Sequence, residues 1–395
     1  MPNVKRLLVP SAALLWGLQF AFLNPALALL LVTLFDATPA EVGWVLAVYN
    51  ASGFVASIVL PGFADRKRNY LWPMLACALL TLALAALLFV TTSLQIAVIG
   101  LIVLGGPAGV GSSLLYAHLK HSGASPADVV NTRAIVSFAW VAGPPLATLI
   151  IGAFGDRAVL LAIAAVAVLN IATTAAMLAE RSAARTDVDE QTKPAENAAD
   201  NRSISRVGVG VIIAAFIALQ AANSAAVSIM TLFVTETLGL NVTWAGIALG
   251  VAAGLEIPAL LLIGRLSYRF SSLGLIASGC VVGIAYYGAM VFVPGPVLLI
   301  GLQVLDAWFF AVVAGVGLTL FQHIIPRPGL ASGLFVNTRR LGAIVSGAII
   351  GIASMTPLGY GGIFAACAGL TALALLAIGV AARITRPGGR ETDGS

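Results

Sequence analysis

The sequence predicts an all-α membrane protein with twelve transmembrane helices in two pseudo-symmetric six-helix bundles. Three observations lead there. Hydrophobic residues make up 60% of the 395 and charged residues only 9%, against about 25% charged in a soluble domain. The apolar residues come in runs long enough to cross a bilayer, about 20 residues each. Leu94 to Leu104 shows none of the polar–apolar alternation of an outer-membrane strand, so the crossings are helices. Third, the basic residues fall almost wholly on one side of the crossings.

Taken in order, span one (8–34) carries Trp16, Gln19, Asn24 and Pro25 and runs straight into a hairpin, as a retained helix does and a cleaved leader does not. Span two (40–64) ends in Asp65 and the basic cluster Arg66-Lys67-Arg68. Only Thr91, Thr92 and Ser93 separate span three (71–92) from span four (95–117), where Pro107 lies between glycines at a place suited to bending. Span five (127–151) opens on Asn131-Thr132-Arg133 and contains Trp140 and Gly143-Pro144-Pro145. After span six (158–179) comes the one truly polar stretch, 180–205, which reads as a flexible linker. Spans seven (206–234), eight (242–264), nine (273–293), ten (297–321), eleven (329–352) and twelve (358–382) follow, then a polar, Gly-rich tail. The expected organisation is a bundle at 1–179, a linker at 180–205, a bundle at 206–384 and a disordered tail at 385–395.

With the N-terminus placed in the cytoplasm, 20 of the 21 Lys and Arg fall on the cytoplasmic side and only Arg157 falls outside. Positive residues collect on that side of short loops, and an error of one span scatters the pattern. Both termini are therefore expected in the cytoplasm, in a bacterial inner membrane. Three Cys and three His show no ligand spacing, so no metal site or disulfide framework is implied. No Gly-rich phosphate loop followed by Lys and Ser or Thr occurs, so energy is expected from a gradient rather than ATP. No cofactor, catalytic set or nucleic-acid partner is expected, and a monomer suffices because each chain has its own pathway.

The halves repeat weakly. Asn131-Thr132-Arg133 returns as Asn337-Thr338-Arg339, 206 residues later, and each is followed by Ala-Ile-Val-Ser. Glu41-Val42-Gly43-Trp44 faces Asn241-Val242-Thr243-Trp244 at an offset of 200, and Gln19 and Asn24 face Gln220 and Asn223. Such a parallel repeat with an even number of spans is the architecture of transporters that rock one bundle against the other around a midplane site.

On these residues the chain resembles the major facilitator superfamily, and within it the bacterial sugar efflux transporters. The stretch Pro61-Gly62-Phe63-Ala64-Asp65-Arg66-Lys67-Arg68 matches the superfamily signature between spans two and three at its Asp and Arg, with Pro61 and Arg68 standing where the family has Gly. Trp140-Val141-Ala142-Gly143-Pro144-Pro145 and Glu256-Ile257-Pro258 resemble the sugar-efflux group. The Arg that many antiporters carry in span four is replaced by Gly106-Pro107-Ala108-Gly109. The resemblance implies proton-coupled export of small sugars or glycosides by alternating access. An amphipathic-drug exporter and an uncoupled or symporting sugar carrier are the alternatives. It also implies that Asp65 and Arg66 latch the halves together at the inner face against the start of span eleven, near Asn337, Arg339 and Arg340, with Arg133 as the pseudo-symmetric counterpart of Arg339. The bend at Gly143 and Pro144 is tied in the family to export and to limiting leakage.

Two carboxylates lie inside spans, Glu256 and Asp306. An ionisable group there is expensive and functional by default, and removal from water favours its neutral form, which suits a group that takes up and releases a proton. Gln19, Asn24, Gln220, Asn223 and Gln303 can each donate and accept, and Trp16, Trp140 or Trp308 offers a flat wall for a sugar ring. The same amides could instead bind helix to helix.

Overall fold

The structure is a computed structural model that describes residues 2–67, 69–122, 126–184, 206–325 and 328–384. These residues are helical almost throughout, with no strand among them. The twelve rods are α1 (Pro2–Phe35), α2 (Pro39–Lys67), α3 (Leu71–Val90), the segmented α4 (Leu94–Gly100, Leu101–Gly105, Gly106–Ala108 and Gly111–His121), α5 (Pro126–Phe154), α6 (Asp156–Ala184), α7 (Arg206–Leu232, extended by Phe233–Thr237), α8 (Thr243–Leu266), α9 (Ser272–Met290), α10 (Pro296–Ile324), α11 (Pro328–Ala353) and α12 (Tyr360–Ile384). Eleven are long and apolar enough to cross a membrane by the described residues alone, and α11, at 26 residues, is the twelfth.

The chain rises and descends six times. We call the face where α1 begins and α12 ends the terminal face, and the opposite one the far face. Far-face turns are closed by residues in the left-handed region: Asp36 (φ 51°), Gly155 (φ 86°), Gly239 (φ 63°) and Gly359 (φ 54°). Glycine has no Cβ to clash there. The break in α4 follows from Pro107, which lacks the N–H that a helix needs. Just before it the helix widens to π geometry over Leu101–Gly105, and the Ser52 hydroxyl of α2 donates to the Ile102 carbonyl at 2.5 Å. Helix α6 runs on to Ala184 rather than stopping at 179, because Glu180, Arg181, Ala183 and Ala184 all propagate a helix well. The rest of the expected linker and the expected tail lie outside the described residues.

Packing repeats the sequence symmetry. In the first half α1 packs on α5 and α6, and α3 on α6; in the second, α7 packs on α11 and α12, and α9 on α12. The halves meet through α2 with α11, α5 with α8, and α1 with α7. At the first seam Gly43 lies against Gly347 and Gly351, and at the second Gly246 and Gly250 lie against Pro144, Pro145 and Val141. Small residues let two backbones approach where lipid offers no hydrophobic drive. Thr231 donates to the Pro25 carbonyl at 2.8 Å across α1 and α7. All these contacts lie in the far halves of their helices, so the two bundles are sealed together toward the far face.

Candidate functional site

Each half carries a buried polar node. In the first half, Gln19 on α1 donates to Thr81 Oγ1 on α3 at 2.8 Å and accepts from Asn170 Nδ2 on α6 at 3.1 Å. Thr81 in turn donates to the Cys77 carbonyl at 2.9 Å. Gln19, Thr81 and Asn170 are all buried. Both ends of the Gln19 amide thus hold three helices together in this structure. Trp16 lies one turn earlier, fully buried, with its ring against Gly111 of α4. It packs the bundle and presents no wall to a ligand here.

The second half is built otherwise. Asp306 on α10 is buried and lies within electrostatic range of Glu256 on α8 and of Tyr286 and Tyr287 on α9. Glu256 is half-buried. Gln303, one turn before Asp306 and so on the same helix face, is fully buried. Its Nε2 donates to the Leu299 carbonyl at 2.8 Å, and the Tyr286 hydroxyl lies beside its amide. Three polar atoms of this half are buried with no hydrogen-bond partner: Gln220 Oε1, Gln303 Oε1 and Tyr287 Oη. Native proteins leave few such atoms, and each calls for an explanation.

The structure therefore brings together Glu256, Asp306 and Gln303. Gln220 is buried beside Gly342 of α11. Asn24, Trp140, Asn223 and Trp308 are half-buried. Tyr286, Tyr287, Thr81 and Asn170 were not singled out from the sequence; two adjacent phenols within the apolar span nine were the signal for the first pair.

The expected gate residues fall in two places. Asp65, Arg66 and Lys67 are exposed at the terminal face. The Asp65 carboxylate accepts from Tyr70 Oη at 2.6 Å, a partner in its own half. That bond, the largest cause, holds the Tyr70 phenol above its usual range. Asn337, Arg339 and Arg340 do not stand at the start of α11. They lie nine to twelve residues in, and at 1.5 Å per residue Arg340 is about 18 Å along the helix. There the half-buried Arg340 donates to Ser57 Oγ of α2 across the seam, near the Asn50 Nδ2 bond to the Ala343 carbonyl at 3.1 Å. Arg339 is exposed. Arg133 belongs to α5, but its side chain lies outside the described residues. Gly143 is buried against Ala21 of α1. Pro144 and Pro145 stay inside the continuous α5, where Thr148 donates to their carbonyls at 3.0 and 3.1 Å. The Gly-Pro-Pro stretch thus forms the α5 side of the far seam.

The family model described as the Major Facilitator Superfamily matches residues 11–346. The chain belongs to that superfamily. Within it the chain is similar to sugar efflux transporters. Sugar efflux transporter A of Dickeya chrysanthemi is 30% identical over 347 residues, 86% of each chain. Sugar efflux transporter B of Salmonella typhimurium is 28% identical over 350 residues, 87% of each. Among solved structures the nucleoside transporter NupG superposes with a TM-score of 0.75, covering 95% of this chain and 98% of its own at 14% identity. A bacterial homologue of the iron transporter ferroportin in an inward-facing state does so with 0.69 over 97% of each chain, also at 14% identity. These two likenesses establish the shared fold. The chain is a multi-pass membrane transporter of this superfamily.

Proposed function

We propose that the protein exports small sugars or glycosides across a bacterial inner membrane in exchange for protons, with both termini in the cytoplasm. The observation that carries the coupling is the pair Asp306 and Glu256: two carboxylates in electrostatic range inside one membrane-embedded half, where no ATP-binding loop exists to supply energy. The likeness to sugar efflux transporters supports the substrate class. With the terminal face in the cytoplasm, a molecule sealed at its far seams is closed to the outside. Asp65, bonded within its own half, is then an unlatched gate. Half-buried Asn24, Asn223, Trp140 and Trp308, with Gln220 beside them in the candidate set, remain the substrate contacts of choice.

The test uses the purified full chain in liposomes loaded with a pH-sensitive dye, under an inward proton gradient. Sugars, glycosides and cationic drugs are added one at a time. Proton flux provoked by sugars or glycosides supports the proposal. Flux provoked by cationic drugs alone replaces the substrate class. Sugar equilibration without flux removes the coupling.

A further inference from the structure

The seam between α2 and α11 ends on a charge. On α2, Gly43, Asn50 and Ser57 recur every seven residues, the spacing of a continuous helix–helix seam. They meet Gly351, Gly347, Ala343 and Arg340 of α11 in turn. One turn further toward the terminal face the same side of α11 carries Val336, which is exposed. The other seam stops at the same height. Gly254 of α8 still reaches Val141 of α5, whereas Ile257 and Leu261, next on that face, are exposed. Arg340 stands twelve residues from the terminal end of α11 and Gly254 twelve from that of α8, about 18 Å in each case. The bundles therefore part toward the terminal face, and Arg340 lies where the cleft between them begins.

A cation at mid-membrane is expensive and is normally paired. Among the described residues the one hydrogen bond of the Arg340 guanidinium is from Nη1 to Ser57 Oγ, and no carboxylate pairs with it. Ser57 is a neutral partner, and its own hydrogen is donated to the Phe54 carbonyl at 2.6 Å. A guanidinium has five N–H donors in a flat fork. No nitrogen of Arg340 is both buried and unpartnered and the side chain is half-buried, so the remaining donors face the cleft. Resting on the reading of the protein as a sugar or glycoside exporter, we propose that Arg340 binds an oxyanion on the transported solute, so that the preferred substrate is a sugar or glycoside bearing a carboxylate or a phosphate ester. The fork matches either group with two parallel hydrogen bonds. The missing counter-charge of Arg340 then arrives with the solute.

The test is counterflow in liposomes holding the purified full chain, with three radiolabelled solutes built on one ring: methyl glucoside, methyl glucuronide and glucose 6-phosphate. The readout is the half-saturating concentration of the neutral solute divided by that of each anion, taken within one preparation so that a loss of active protein cancels. The wild type should favour at least one anion about tenfold or more, and the favoured one tells a carboxylate from a phosphate. Arg340→Gln should bring the ratio to about one. Arg340→Lys, which keeps the charge but not the fork, should fall between. Ser57→Ala removes the bond between the bundles but not the charge, and should keep the wild-type ratio. A wild type that takes the neutral glucoside as readily as both anions overturns the anion site and leaves the sugar reading standing. So does an Arg340→Gln ratio equal to the wild type's, or one that falls equally far in Ser57→Ala. Where Arg340→Gln carries no solute, Arg340→Lys decides, and an unchanged ratio there overturns the site. Counterflow of none of the three by the wild type overturns the sugar reading itself.

Discussion

Gln19 and Gln220 stand 201 residues apart on the first helix of each half, and Asn170 and Thr371 stand 201 apart on the last. The surroundings of the two glutamines are opposite. Gln19 has both ends of its amide bonded, to Thr81 and Asn170, in a neutral node. The Gln220 carbonyl oxygen has no partner, nor has that of Gln303, in the half that also buries Asp306. The first half also buries polar atoms without a hydrogen-bond partner, Trp16 Nε1, Asn170 Oδ1 and Thr174 Oγ1 among them, but it buries no carboxylate among the described residues. A duplicated scaffold has thus kept one glutamine as a fastening and left the other node, the one with the buried carboxylate, open at its amide oxygens. Burial of a carboxyl costs more free energy than burial of a neutral polar group, so it is Asp306 that points the open node to a task beyond folding.

At the seams, by contrast, the halves match, and substitutions there should act alike. Gly43→Leu and Gly246→Leu each drive a side chain into the opposite backbone. Overpacking of this kind costs about 1–3 kcal/mol, enough to shift the population away from the far-sealed state by about five- to 150-fold. The check is labelling of Ala47→Cys, which faces Gly347 in the seam, with an impermeant maleimide applied from the far side. The native cysteines are all buried and leave a low background. Labelling should rise in both variants; a rise in only one breaks the symmetry of the seams.

The nodes should respond unequally. Gln19→Leu strips the acceptor from Asn170 Nδ2 and should cost about 1–3 kcal/mol in stability. Gln220→Leu removes an amide whose oxygen is already unpaired and should cost well under that. Thermal unfolding in detergent distinguishes them, and equal losses would erase the contrast. Asp65→Asn comes next: a latch of one carboxylate is worth about 0.3–1 kcal/mol. Solute exchange should slow about two- to fivefold while binding affinity is kept. A large loss of affinity at unchanged exchange rate contradicts the latch.

The smallest effect concerns Tyr70. The Asp65 carboxylate raises the phenol above 10.0, so this bond is intact below that value and is lost only as pH rises through the higher, folded one. The link therefore holds through neutral pH. Asp65→Asn should let Tyr70 ionise nearer its ordinary range, as followed by ultraviolet titration against a Tyr70→Phe control.

The fold was legible because each crossing is a run of apolar residues and the basic residues mark one face; helix ends departed from expectation where good helix formers such as Ala183 and Ala184 carried α6 onward. Asp306 and Glu256 were legible by their rarity. Gln19 was not, because its partners are 62 and 151 residues away and nothing local names them. The burial of Trp16 against α4 was not legible for a related reason. Helices bathed in lipid are apolar on every side, so periodicity does not tell which face of α1 meets α4. Arg340 was expected at the start of span eleven on the inner face, yet its position in α11 carries it to mid-height, where Ser57 receives it.

The most direct measurement is solute accumulation in proteoliposomes under an imposed gradient of one pH unit, comparing the wild type, Asp306→Asn and Gln19→Leu. One proton per solute sustains about tenfold accumulation. The wild type and properly folded Gln19→Leu should both approach it, while Asp306→Asn should equilibrate the solute at about equal concentrations. Full accumulation by Asp306→Asn, or its loss in stable Gln19→Leu, would show that the open node of the second half is not where the proton gradient is used.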